Sequence, residues 1–150
     1  MSPIRAVPVP PDSLLAAFGG PESYRDCFTR DVAGTLTLPQ LIERFYTSTA
    51  FLPERLVLKL LGKPAARTDA KRLAQGETGS FGVWQVAARR ESEILLDSKP
   101  TGTASWLAVE PLDTGTRLYF GTWVGNIDRS GWKPMEQAHL WYSRALLGGV

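Results

Sequence analysis

With 150 residues, 43% of them hydrophobic and 21% charged, the chain is sized for one domain with its own core and is not globally disordered. Its net charge of +2 is too small to make nucleic acid or an anionic membrane the expected main partner.

Pro3, Pro8, Pro10 and Pro11 favour extended backbone in the first dozen residues, which suit neither a helix nor a central strand. Ser13–Phe18 leaves room for one helical turn, with Asp12 as the expected cap and Gly19-Gly20 as its stop. Residues 1–22 therefore read as a proline-rich arm, flexible or strapped down, and residues 23–150 as a single domain. Tyr24–Val32 mixes aromatic and β-branched residues with charges and reads as the first strand.

Thr37 and Gln40 then match a capping box, with Pro39 in the first turn, where its missing N–H does no harm. Leu41, Ile42, Phe45 and Tyr46 follow at helical spacing and share one apolar face. A second helix is expected from near Pro53, with Leu52, Leu56, Val57, Leu60 and Leu61 as its stripe and Gly62 and Pro64 as its end. Asp69–Gln75 has room for a third, capped by Thr68 and stopped by Gly76.

From Gly79 the pattern turns extended. Phe81–Arg90, Glu93–Ser98, Thr103–Glu110 and Thr116–Gly125 read as four strands, and the turn chemistry between them predicts an antiparallel meander. Lys133–Leu147 reads as the closing helix, ended by Gly148-Gly149. A sheet of this kind must bury one face, and the last helix is its natural partner. The expected class is α+β, a curved antiparallel sheet wrapped around a long C-terminal helix, with two or three helices after the first strand.

Cys27 is the only cysteine, which excludes an internal disulfide and fits a reducing compartment. The N-terminus lacks the apolar core of a signal peptide and no run reaches the length of a membrane span, so a cytoplasmic location is expected.

The segments "YRDCFTRDV", "LIERFYTSTAF", "SWLAVEP", "GTRLYFGTWV" and "LWYSRALL" resemble those of small bacterial proteins related to the START-like (SRPBCC, Bet v 1-type) superfamily, across roughly residues 23 to 147. The matching features are packing signatures, not catalytic ones. The resemblance implies a helix-grip fold whose interior binds lipids, polyketides, hormones or other apolar molecules. This chain has fewer readable strands than the fuller members.

His139 is the sole histidine and shares a helical stripe with Met135, Tyr142 and Leu146. In a helix grip that stripe looks into the interior. The side chain is then a polar anchor or general base for a ligand, or a buried histidine satisfied by one hydrogen bond. The expected ligand-binding residues are Phe45, Tyr46, Leu56, Leu60, Leu107, Leu118, Phe120, His139 and Tyr142.

No catalytic motif is present. A Cys27–His139 dyad has no nucleophile elbow or protease signature around it, so a small buried thiol is the better reading. One histidine and one cysteine cannot supply the usual nitrogen and sulfur ligands, and neither a metal nor a cofactor is expected. Glu91, Glu93 and Asp97 alternate on one strand edge and read as a solvated face balanced by Arg89 and Arg90, with a hard-cation site as the rival. Gly76, Gly79 and Gly82 precede a strand, whereas a phosphate loop opens a helix. Arg55, Lys59, Lys63 and Arg67 read as a solvated basic face.

Trp106, Tyr119 and Trp123 alternate with the apolar residues of their strands and fall on the side of Glu110 and Arg117, the outer face of the sheet. That face needs a cover: the N-terminal arm, or a homodimer, which is slightly favoured. The alternative places these rings inside. The leading functional expectation is a noncatalytic module holding a small apolar or amphipathic molecule between sheet and helix. A cyclase or hydratase using His139 with Tyr142 or Tyr46, and a filled-core interaction domain dimerising through the outer aromatics, are its rivals.

Overall fold

The computed structural model describes residues 3–20, 23–48, 51, 56, 60–62, 66–125 and 132–150, the side chains of 132–138 aside. Its elements in chain order are β1 (Arg5–Ala6), α1 (Leu14–Ala17), β2 (Tyr24–Ala33), α2 (Leu38–Thr47), α3 (Arg67–Ala74), β3 (Ser80–Phe81), β4 (Trp84–Arg89), β5 (Glu93–Ser98), β6 (Thr103–Pro111), β7 (Gly115–Val124) and α4 (Trp132–Gly148). The class is α+β. One open antiparallel sheet runs in the order β1-β2-β7-β6-β5-β4-β3. From β4 onward each strand pairs with its predecessor, as short turns require. The first long strand, β2, lies along the last, β7, from Tyr24 opposite Val124 to Ala33 opposite Gly115.

Local chemistry explains the element ends. The capping box at α2 is formed: Thr37 Oγ1 accepts from the Gln40 N–H at 3.4 Å, and Gln40 Oε1 accepts from the Thr37 N–H at 2.9 Å. At α1 the cap is Ser13 and not Asp12. Ser13 has the extended backbone a cap needs, and its Oγ accepts from Ala16 N–H at 3.1 Å. Helix α3 starts earlier than Thr68 predicts, because Asp69 reaches back to accept from Ala66 N–H at 2.8 Å.

The expected strand Phe81–Arg90 is two strands. Phe81 pairs with Trp84 around a two-residue turn whose first residue, Gly82, has φ +59°. That is the glycine position of a type II′ hairpin. The expected helix from Pro53 lies mostly outside the described residues, as do Leu52, Val57, Arg55, Lys59 and Lys63. Leu56, Leu60 and Leu61 are described and exposed, so these three members of the leucine stripe face solvent.

The sheet is covered on both sides. Its inner face, carrying Phe28, Ile94, Leu96, Leu107, Leu118 and Phe120, packs with α2, α3 and the end of α4 into the main core. Arg30, also buried, donates to the carbonyls of Leu147 and Gly148 and holds the C-terminal end of α4 to β2. The outer face holds Cys27, Leu95, Ala104, Trp106 and Ala108, with Tyr119 and Trp123 beside them.

The cover of that outer face is the N-terminal arm, within the one chain. β1 pairs with β2, Val7 N–H donates to the Cys27 carbonyl at 3.0 Å, and Leu15 of α1 is fully buried against the sheet. Phe18 meets Trp123 edge-on at 4.8 Å. Gly121 makes the close approach of α1 possible, since a Cβ there would collide with Leu15 Cδ2 and press on Trp106. Under this cover Trp106 is only 2% exposed, and Tyr119 and Trp123 beside it are partly buried.

Glu93 corrects the picture of a solvated acidic edge. It is 9% exposed, and its Oε1 accepts from Trp106 Nε1 at 2.9 Å and from Leu14 N–H, at the start of α1, at 2.7 Å. Arg90 donates to its other oxygen at 3.2 Å. The carboxylate latches the arm to the sheet. Arg25 does the same from β2, donating to the carbonyls of Leu15, Phe18 and Gly20.

Candidate functional site

A cavity of about 140 Å3 lies between the inner face of the sheet and α4. Its walls come from six places. The pleat of β6 turns Thr103 and Ser105 inward, that of β7 turns Phe120, Thr122 and Val124 inward, and β4 adds Trp84. Helix α2 supplies Phe45 and Tyr46, the cap that follows it leads to Phe51, and α4 supplies His139, Tyr142, Ser143 and Leu146. These last four sit at i, i+3, i+4 and i+7, one face of one helix.

The lining mixes aromatic and polar groups. Phe45, Tyr46 and Phe51 make edge-on and tilted ring contacts with one another, and Phe45 lies 4.8 Å from Phe120. The rest of the lining includes the hydroxyls of Thr103, Ser105, Thr122 and Ser143, the imidazole of His139 and the rings of Trp84 and Tyr142. Behind His139 is Asp26 of β2. Its Oδ2 lies 3.0 Å from His139 Nε2 and accepts from the Tyr24 hydroxyl at 2.9 Å. Ser143 Oγ approaches the same Nε2 at 3.3 Å. Carboxylate and hydroxyl therefore share one ring nitrogen. A nucleophilic relay needs them on opposite nitrogens.

Five of the nine expected ligand-binding residues meet at this cavity: Phe45, Tyr46, Phe120, His139 and Tyr142. Leu107 and Leu118 are fully buried in the adjoining core without lining the cavity, and Leu56 and Leu60 are on the surface. Cys27 cannot join His139, because it lies under the arm on the outer face. Burial, and secondarily the neighbouring Asp26 charge, pushes its thiol up to about 12. Among the described residues, no group of three or more His, Cys, Asp or Glu is placed to hold a metal ion. No described helix is long and apolar enough to cross a membrane.

Sequence reasoning missed Asp26, Trp84, Ser105, Thr122 and Ser143. Two of these carried a readable signal. Thr122 alternates with Phe120 along β7, and Ser143 stands four residues after His139, so each shares the face of an expected binding residue. Trp84 was hidden by the unrecognised hairpin, and Asp26 by a strand whose charges fall on both faces.

The outer face has electrostatics of its own. Arg117 donates from Nε to Asp31 Oδ1 at 2.7 Å and from a second nitrogen to Oδ2 at 3.2 Å, and these hydrogen bonds hold the Asp31 carboxyl below its ordinary value. Burial, then Glu110, raises the Tyr119 hydroxyl.

Compared with known proteins, the chain matches no family model, no curated protein and no solved structure.

Proposed function

We propose that this protein is a helix-grip, START-like module that binds a small amphipathic molecule in the cavity between its sheet and its C-terminal helix. The topology supports the fold reading: a first long strand beside the last, a meander between them, and a final helix on the inner face. The observation that carries the binding reading is the mixed lining, mostly aromatic and aliphatic with a few hydroxyls and His139 among them. Few precisely placed polar groups in an apolar hollow are what fix the orientation of a small ligand.

Volume sets the ligand class. Drug-sized sites occupy about 300–1,000 Å3, while an engineered cavity of about 150 Å3 in another protein takes up benzene. A hollow of about 140 Å3 fits one aromatic ring or a short acyl group. It is too small for the lipids, hormones and polyketides that the family resemblance brings to mind. Mass spectrometry of the molecules released when natively purified protein is denatured tests this. A bound compound of single-ring size supports the reading, and a reproducibly empty protein speaks against it.

A second reading has one observation in its favour. The Asp26–His139 pair stands at the cavity wall, where an acid–base residue of a cyclase or hydratase would stand. Turnover of the released compound by the intact protein, lost in His139→Gln, would favour it over simple binding.

A further inference from the structure

A groove of about 370 Å3 runs between the edge strand and α4, apart from the cavity described above. We infer that it is a second binding site, for a small aromatic carboxylate. Its lining is Ala6 of β1, Phe28 of β2, and Leu140, Trp141 and Arg144 of α4. The cavity uses helix positions 139, 142, 143 and 146, whereas the groove uses 140, 141 and 144, which the helical period puts on another face of α4. Ala6 stands opposite Phe28 in the β1–β2 pair, and residues opposite one another share a face of the sheet.

Arg144 is the only charged residue in this lining among the described residues. Its Cζ lies 5.0 Å from the centre of the Phe28 ring, and one terminal nitrogen donates to the Ile4 carbonyl at 3.1 Å. Because Phe28 is itself a groove residue, the charge stands at the groove. No further partner of Arg144 is found among the described residues. A guanidinium carries five N–H donors in a planar fork, so most of its donors are left for a ligand. Held by a ring and a carbonyl, the fork loses little freedom on binding, and its shape matches a carboxylate. Trp141 supplies the second element. It is 72% exposed while lining the groove, and offers a broad aromatic face for the ring of a ligand. The volume is at the lower end of the 300–1,000 Å3 typical of small-molecule sites, which suits one or two rings. An organic cation would meet Arg144 with no lining carboxylate among the described residues to offset the repulsion.

NMR titration of the full chain with naphthoate, and with naphthylmethanol as its uncharged counterpart, tests this. Shifts are expected on the Ala6 and Leu140 methyls and the Trp141 indole N–H, with naphthoate bound about fivefold more tightly at low salt. Added salt should erode that preference. Arg144→Gln should abolish it while naphthylmethanol still binds, which shows the groove intact. Trp141→Ala removes a mostly exposed side chain and should weaken both compounds while the preference for the carboxylate remains. Equal binding of the two compounds, an undiminished carboxylate preference in Arg144→Gln, unchanged binding in Trp141→Ala, or no shifts from either compound overturns the inference. Shifts on Val124 and Leu146 in place of Ala6 and Leu140 also overturn it, and leave the reading of the central cavity standing.

Discussion

Asp26 and Cys27 are neighbours in β2 that the pleat sends to opposite faces, Asp26 inward to His139 at 3.0 Å and Cys27 outward beneath the arm. That one-residue alternation separates the only thiol from the only histidine by the thickness of the sheet.

The thiol should therefore be inert in the folded protein. Iodoacetamide at pH 8 is expected to leave native Cys27 unmodified and to label it fully in denaturant. Because its folded-state pKa is raised to about 12 from 9.0, the folded chain keeps a proton that the unfolded chain loses. This group's contribution is complete below pH 9 and declines as pH rises through that value toward 12. Rapid native labelling would contradict the placement.

The arm should carry much of the stability of the outer face. Leu15 is fully buried against Gly121 and Trp106, so Leu15→Ala should cost about 2–5 kcal/mol by urea denaturation. A chain starting at Ser23 uncovers Trp106 and Trp123 and should self-associate in sedimentation, whereas the intact chain should not associate through this face. A truncated chain as soluble and monomeric as the parent would show that the arm covers nothing of consequence.

At the start of α2, Thr37→Ala should cost about 0.5–2 kcal/mol, because it removes the acceptor for the Gln40 N–H. An unchanged denaturation midpoint would mean that water replaces the cap without loss.

Much of this architecture was legible before the structure. The capping box at Thr37, the inner and outer alternation of β7 and the helical stripe through His139 are local patterns with strong periods, and each appears where its spacing puts it. What escaped depended on contacts distant in sequence. Glu93 reads as a solvated charge until α1, 79 residues away, brings a backbone donor to it. The leucines at 56, 60 and 61 carry a core-like period, yet periodicity states only that residues share a face, and here that face looks outward. The site was half visible for the same reason: its rings stood out, whereas its small hydroxyls, Ser105, Thr122 and Ser143, gained meaning only once the sheet and α4 faced each other.

The Asp31–Arg117 pair gives a pH test. The folded-state pKa of Asp31 is lowered from 3.8, so its contribution is present above that pH and is lost as pH falls through the depressed value. Asp31→Asn should lower the urea midpoint at pH 6, and the difference from the parent should shrink steadily as the pH drops below 3.8. Both groups are about one-third exposed, so the effect should be modest and should weaken in salt. A difference that persists at low pH would assign the effect to packing instead.

The claim on which the account rests is a ligand-sized hollow between the sheet and α4, and methyl-resolved NMR of the full chain with and without toluene tests it most directly. The account predicts shifts concentrated on Val124 and Leu146, which line the hollow, with Leu15 and Leu95 of the outer face unmoved. No shifts at saturation, or shifts on Leu15 and Leu95 in place of Val124 and Leu146, would contradict it.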